Sequence, residues 1–407
     1  MRHPLDHASS RAQALLVLVG IVALAFNLRP AAVSVGPVLA EIIAGLQMSA
    51  TTAGLLTTLP VLAFALFGAL TPWLARRLGL HRLTLLALVA VVVGLALRAR
   101  TDSVLLFLLL SLLALAGMAT ANVLLPSLVK LHFPHRVGLL TSVYTTALAI
   151  GLTLASVLTV PLGEVLGSWR WGIGIWALTA LVAAVPWVRL VRHDAAPADG
   201  RREITLAQVA QTRLGWSMAA FFGLQSLQAY AVFGWFAQVY RDAGFGPATA
   251  GLLLGVVTAV SIPLSFLLPS LTARLVDQRL LITALVACYP LGYVGLAVEP
   301  RSGAWLWAVL VGVAASVFPV ALTLIGLRAH TPAGTAALSG FTQSVGYLVA
   351  AVGPFGVGLL YDLTGAWTVP LLALTLLSLA QVVAGLLVAR PAYIEDQLPS
   401  RDRAGTL

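Results

Sequence analysis

Of 407 residues, 60% are hydrophobic and only 9% charged, with a mean hydropathy of +0.98. A soluble domain carries roughly 25% charged residues, so a water-soluble globular chain is excluded and a polytopic membrane protein is expected. The formal net charge of +10 does not indicate nucleic acid, because the basic residues fall in short clusters between apolar runs, as membrane topology places them.

The N-terminus, RHPLDHASSRAQ before an apolar run, has the outline of a signal peptide. It lacks a small-residue cleavage site and eleven more apolar segments follow, so it reads as a short tail (1–11) and a retained first span. About 20 apolar residues are needed to cross the hydrocarbon core. By that measure residues 12–190 hold six spans, near 12–43, 51–75, 82–99, 104–129, 137–165 and 169–190. Residues 191–212 form a linker containing HDAAPADGRREITLAQVAQT, where Pro, Gly and a charge cluster exclude a span and a short surface helix is expected from Glu203 onward. Six further spans follow in 213–390, near 213–241, 247–273, 279–298, 302–327, 335–362 and 366–390, and residues 391–407 are a tail. The expected fold is therefore an all-α membrane protein of twelve transmembrane helices in two six-helix bundles. With both termini cytoplasmic, eighteen of the 24 basic residues fall inside and five outside, although Arg98 and Arg100 run against the bias.

The two halves repeat. TAGLL at 52–56 recurs unchanged at 249–253, and eleven of 31 positions match between 52–82 and 249–279, including Pro72/Pro269, Arg77/Arg274 and Arg82/Arg279. Two parallel six-helix repeats related by an axis along the membrane normal are the architecture of major facilitator transporters, in which substrate binds near the midplane between the halves. The loop PWLARRLGLHR resembles the loop motif of that superfamily, retaining Arg77, Gly79 and Arg82. It departs at Pro72 and Arg76, where a glycine and an acid would stand. Arg274 and Arg279 are the repeat equivalents, and these five residues are expected to serve gating or positive-inside anchoring.

The first span contains FNLRPAAVSVGP. Charge within a span is costly, whichever scale is used. All fourteen acidic residues lie in tails, loops or span ends, and all seven histidines at cytoplasmic positions, so Arg29 reads as the only charge inside a span. Glu41 lies twelve residues on, about 18 Å along a helix, too far for direct pairing unless the span is broken. Burial in an ion pair and snorkelling are the bland readings of Arg29. The sharper one is a guanidinium facing a cavity, where its planar fork meets a delocalised anion. Pro30 and Pro37 donate no N–H, which frees the carbonyls of Phe26 and Val33 and predicts an interrupted helix.

Other polar residues expected to face a substrate are Asn27, Asn122 and Tyr144 in the first half, and Gln225, Gln228, Gln343 and Tyr347 in the second. Trp235 and Phe318 are candidate cavity walls. For each, an interhelical hydrogen bond or simple packing is the alternative. No metal site or cofactor is expected, since Cys288 is the single cysteine and no His/Asp/Glu cluster falls within a span.

FNLRPAAVSVGPVL, NVLLPSLVKLHFP, GLLTSVYTTAL, SWRW and FPVALTLIGLRAHTPAGTAALSGFTQSVGYLVAAVGP together resemble the cyanate and 2-nitroimidazole transporter family of the major facilitator superfamily, over residues 12 to 390. The resemblance implies a bacterial inner-membrane secondary transporter for small, electron-rich polar solutes, working as a monomer in the lipid bilayer without a nucleic-acid partner. A coupling proton would have to use Glu41, Glu164 or Asp362 near the span ends, or travel on the substrate. Broad drug efflux and facilitated diffusion are the alternatives within transport. A membrane-embedded enzyme lacks a base beside its serines, and a receptor on a transporter scaffold is the remaining rival.

Overall fold

The computed structural model describes residues 4–48, 50–193 and 204–398, and every regular element among them is helical. They fall into two compact units, the first running to Arg136 and resuming over 143–193, the second holding 137–142 and 204–398. Residues 194–203 of the expected 191–212 linker lie outside the described residues, and its predicted surface helix is described only as one turn, α10 (below).

The first unit begins with α1 (Pro4–Phe26), a one-turn α2 (Pro30–Val33), a 3-10 turn (Gly36–Val38) and α3 (Leu39–Leu46). It continues with α4 (Ala50–Leu78), α5 (Leu80–Arg98), α6 (Val104–His132), α7 (Val137–Val165, whose first turn belongs to the second unit), α8 (Trp169–Gly174) and α9 (Trp176–Leu190). The second unit holds α10 (Leu206–Val209), α11 (Arg213–Asp242), α12 (Pro247–Arg274), α13 (Arg279–Val298), α14 (Ala304–Ala315), α15 (Val317–Leu327), α16 (Pro332–Thr364) and α17 (Thr368–Ala389). Leu105, Val157 and Val182, with Leu252, Leu376 and Val383 in the second unit, are exposed, an apolar surface that suits lipid rather than water.

Eleven helical segments among the described residues are long and apolar enough to cross a membrane. The remaining expected span is the 30-residue α11. At 1.5 Å per residue it is about 45 Å long, and Gln225, Gln228 and Gln238 lower its hydropathy.

Local chemistry sets the helix ends. Thr212 and Thr331 cap α11 and α16 by accepting from the N–H of Gly215 and Gly334, each at 3.0 Å. Gly79 is the single residue between α4 and α5, at φ 86°, a conformation that side chains with a Cβ rarely adopt. The motif glycine therefore has a backbone reason to be there. Its neighbour Arg77 lies over the Trp73 ring at 4.2 Å, and Arg279 pairs with Asp277 at 3.5 Å.

The C-terminal segment ties back onto the second unit. The Glu395 carboxylate accepts from the backbone N–H groups of His330 and Thr331 and from the Thr331 hydroxyl, at 2.9–3.0 Å. Gln397 Oε1 accepts from Leu214 N–H at the start of α11, at 3.0 Å. Two helix N-termini are thus satisfied by one short strap. Glu395→Ala should lower the thermal unfolding midpoint, at a cost of about 1–3 kcal/mol for the donors left behind. An unchanged midpoint would show that water replaces the carboxylate fully.

Candidate functional site

The interrupted first span is the feature most clearly built for something other than crossing a membrane. Helix α1 stops at Phe26, because Pro30 supplies no N–H to the Phe26 carbonyl. Arg29 takes the N-cap position of α2 at φ −121°, ψ −32°, and its carbonyl accepts from Ala32 and Val33. Regular helix resumes only at Leu39.

Three neighbours hold this segment. On α9, the Thr179 hydroxyl donates to Asn27 Oδ1 at 2.7 Å, and Asn27 Nδ2 donates to the carbonyls of Ala23 and Thr179 at 2.8 and 3.2 Å. On α7, Gly151 lies so close to Phe26 that an added methyl would overlap the Phe26 carbonyl oxygen. On α5, Arg98 Nη1 donates to the Ala31 carbonyl at 3.0 Å and Nη2 to Ser34 Oγ at 3.2 Å. Asn27 is therefore tied into the scaffold, whereas Arg29 keeps partial exposure and lies with its guanidinium carbon 5.8 Å from the centre of the Phe64 ring on α4.

Arg98 corrects the charge inventory read from the sequence. Arg29 is not the only charge enclosed by the helices: Arg98, expected outside, is entirely buried and makes no ion pair among the described residues. The available signal was its conflict with the positive-inside bias at the end of a span.

Asn122 on α6 and Tyr144 on α7 are both buried in the first unit. In the second unit the polar residues fall into three groups. Gln225 Nε2 donates to Tyr289 Oη at 3.2 Å and to the Ala315 carbonyl at 3.0 Å, and Gln225 Oε1 accepts from Gln381 Nε2 at 2.6 Å. Ala315 needs that donor because Pro319, four residues on, has no N–H, and the tenth span is interrupted there between α14 and α15. Gln228 bonds Tyr293 and the Leu374 carbonyl. Both glutamines are wholly enclosed and hydrogen-bonded to their own bundle. Gln225→Leu should cost about 1–3 kcal/mol by stranding the Ala315 carbonyl and Gln381, read as a lower unfolding midpoint; a neutral result would mean the network is dispensable.

A second group is aromatic, with Phe222 5.7 Å from Phe318 and 5.3 Å from Tyr347. Gln343 is enclosed on the same helix as Tyr347 and donates to Ser339 at 2.8 Å. Trp235 belongs to a third group: it donates to the Pro354 carbonyl at 2.8 Å and lies 5.9 Å from the Trp367 ring. Thirteen residues separate it from Phe222 along α11, about 20 Å, so Trp235 stands at a different level of that helix. No group of three or more metal-ligating side chains occurs among the described residues.

Two units of long apolar helices, with the first and tenth spans interrupted, define a multi-pass membrane protein. The family model described as Major Facilitator Superfamily matches residues 15–354, and the chain belongs to that superfamily. It is 33% identical to the 2-nitroimidazole transporter of Escherichia coli (strain K12), over 93% of this chain and 97% of that protein. It is 28% identical to the cyanate transport protein CynX of the same organism, over 86% of this chain and 90% of that protein. Among solved structures, the proton:xylose symporter XylE aligns with a TM-score of 0.73 at 12% identity, covering 96% of this chain and 98% of that one, a likeness of fold.

Proposed function

We propose that the chain is a secondary transporter for a small anionic or electron-rich polar solute, working by alternating access with Arg29 as the main recognition group. One observation carries the reading. Of the two arginines at the interrupted first span, Arg29 within it retains accessible surface at the start of an isolated helical turn, while Arg98, reaching it from α5, is sealed. A partly exposed guanidinium on irregular backbone is a binding arrangement, since freed backbone at membrane depth is tolerated where it lines protein or a wet cavity. The names of the two relatives, for cyanate and a nitro-heterocycle, agree in size and electron richness.

Asn122, Tyr144, Gln343, Tyr347 and Phe318 are proposed as the polar and aromatic surroundings of the solute. Asn27, Gln225, Gln228 and Trp235 support that site through the bonds they make within their own units. Arg77, Gly79, Arg82, Arg274 and Arg279 are proposed to act at the cytoplasmic loops during the conformational cycle. The protein is proposed to work as a monomer in a bacterial inner membrane with both termini inside. Glu41, Glu164 and Asp362 are all exposed, which favours uniport or a proton carried on the substrate over relay through an enclosed carboxylate.

A thermal-shift panel on the purified protein tests the substrate class. Cyanate, small carboxylates and nitroimidazoles should raise the midpoint, and lipophilic cations should not. The reverse pattern would support broad drug efflux instead.

A further inference from the structure

We infer that the cavity beside the break in the first span is a second anion site, distinct from Arg29, with Arg98 and Ser111 as its donors. The cavity has a volume of about 200 Å³, and its wall includes Ala31, Val35, Leu56, Pro60, Arg98 and Ser111. All of it lies within the first unit.

The argument is one of unsatisfied charge. An arginine stays protonated, and a unit charge withdrawn from water is strongly disfavoured unless an opposite charge accompanies it. Arg98 has no accessible surface and no ion pair among the described residues, and its two hydrogen bonds go to neutral acceptors, the Ala31 carbonyl and Ser34 Oγ. Its Nε–H has no acceptor. On the same cavity wall, Ser111 Oγ is also buried and also without a partner. Arg98 and Ser111 thus both line one small cavity whose other walls are aliphatic, and each carries a buried donor without a partner.

A neutral apolar guest would leave both donors unsatisfied, and a cation would be repelled. A monovalent anion answers the charge and both donors together. Liquid water takes about 30 Å³ per molecule, so the volume suits an anion of one to a few heavy atoms with some water, such as chloride, nitrate or cyanate. Because Arg98 also holds Ala31 and Ser34, an anion here would steady the segment that carries Arg29.

The test is unfolding of the purified protein, followed by tryptophan fluorescence, as chloride, which is not among the proposed transported solutes, replaces gluconate at constant ionic strength. The midpoint should rise with anion concentration in wild type and in Arg29→Gln, and stay flat in Arg98→Gln. Ser111→Ala, a small change, should keep the fold and raise the half-saturating concentration on the order of 10-fold; it decides the matter if Arg98→Gln does not fold. No anion-dependent shift in wild type, or an equal shift in Arg98→Gln or Ser111→Ala, would overturn the assignment. Loss of the shift in Arg29→Gln alone would also overturn it, by assigning the bound anion to Arg29.

Discussion

Arg29→Ala is expected to remove most of the affinity for the transported solute while leaving the protein folded. Arg29 caps a four-residue turn with its backbone, and its carbonyl bonds to Ala32 and Val33 survive the substitution. The guanidinium is what disappears. A hydrogen bond to a charged group contributes about 1.5–3 kcal/mol, which corresponds to roughly 10- to 150-fold in affinity. Arg29→Lys keeps the charge but loses the planar fork, and should fall between the two. Ligand titration by calorimetry or thermal shift gives the ranking Arg, Lys, Ala. Equal affinity in all three would remove Arg29 from the recognition role.

The second large effect is steric and lies at the other end of the same break. Gly151 on α7 approaches the Phe26 carbonyl, where a Cβ has no room. Gly151→Ala should cost about 1–3 kcal/mol as overpacking, and Gly151→Val more. Helix α7 would be forced off the point at which α1 ends. A lower unfolding midpoint and reduced yield of folded protein are the expected readouts. Gly36→Ala is the control from the same segment, since a Cβ there meets nothing within 4 Å and should be tolerated. If Gly151→Val matched Gly36→Ala, the close approach would have no energetic weight.

Much of the architecture was legible because a membrane makes composition do the work of periodicity. Apolar runs bounded by Pro, Gly and arginine clusters mark the long helices, and Pro30 and Pro37 mark the break in the first span by the donors they lack. Pro319 carries the same message for the tenth span, yet its consequence is visible only once Gln225 is seen donating to Ala315 across 90 residues. Spacing on a helix says which residues share a face; it does not say what that face meets. Gln225 and Gln228 illustrate this, since their three-residue spacing is as compatible with a substrate as with Tyr289, Gln381 and Leu374.

Arg98 illustrates a different gap. Its place at the end of an apolar run indicates an interface, and only the packing of α5 against the broken segment turns that position into an enclosed one. Asn27 stands beside Arg29 in the sequence, but its bonds to Thr179, 152 residues on, are visible only in the fold.

The most direct test of the account is solute flux. Wild type and Arg29→Ala, reconstituted at equal protein content in proteoliposomes, would be compared for uptake of labelled cyanate and 2-nitroimidazole. The account predicts saturable uptake of at least one of the two by wild type, and at least a 10-fold weaker apparent affinity in Arg29→Ala. Uptake of equal affinity and rate by both proteins would contradict it.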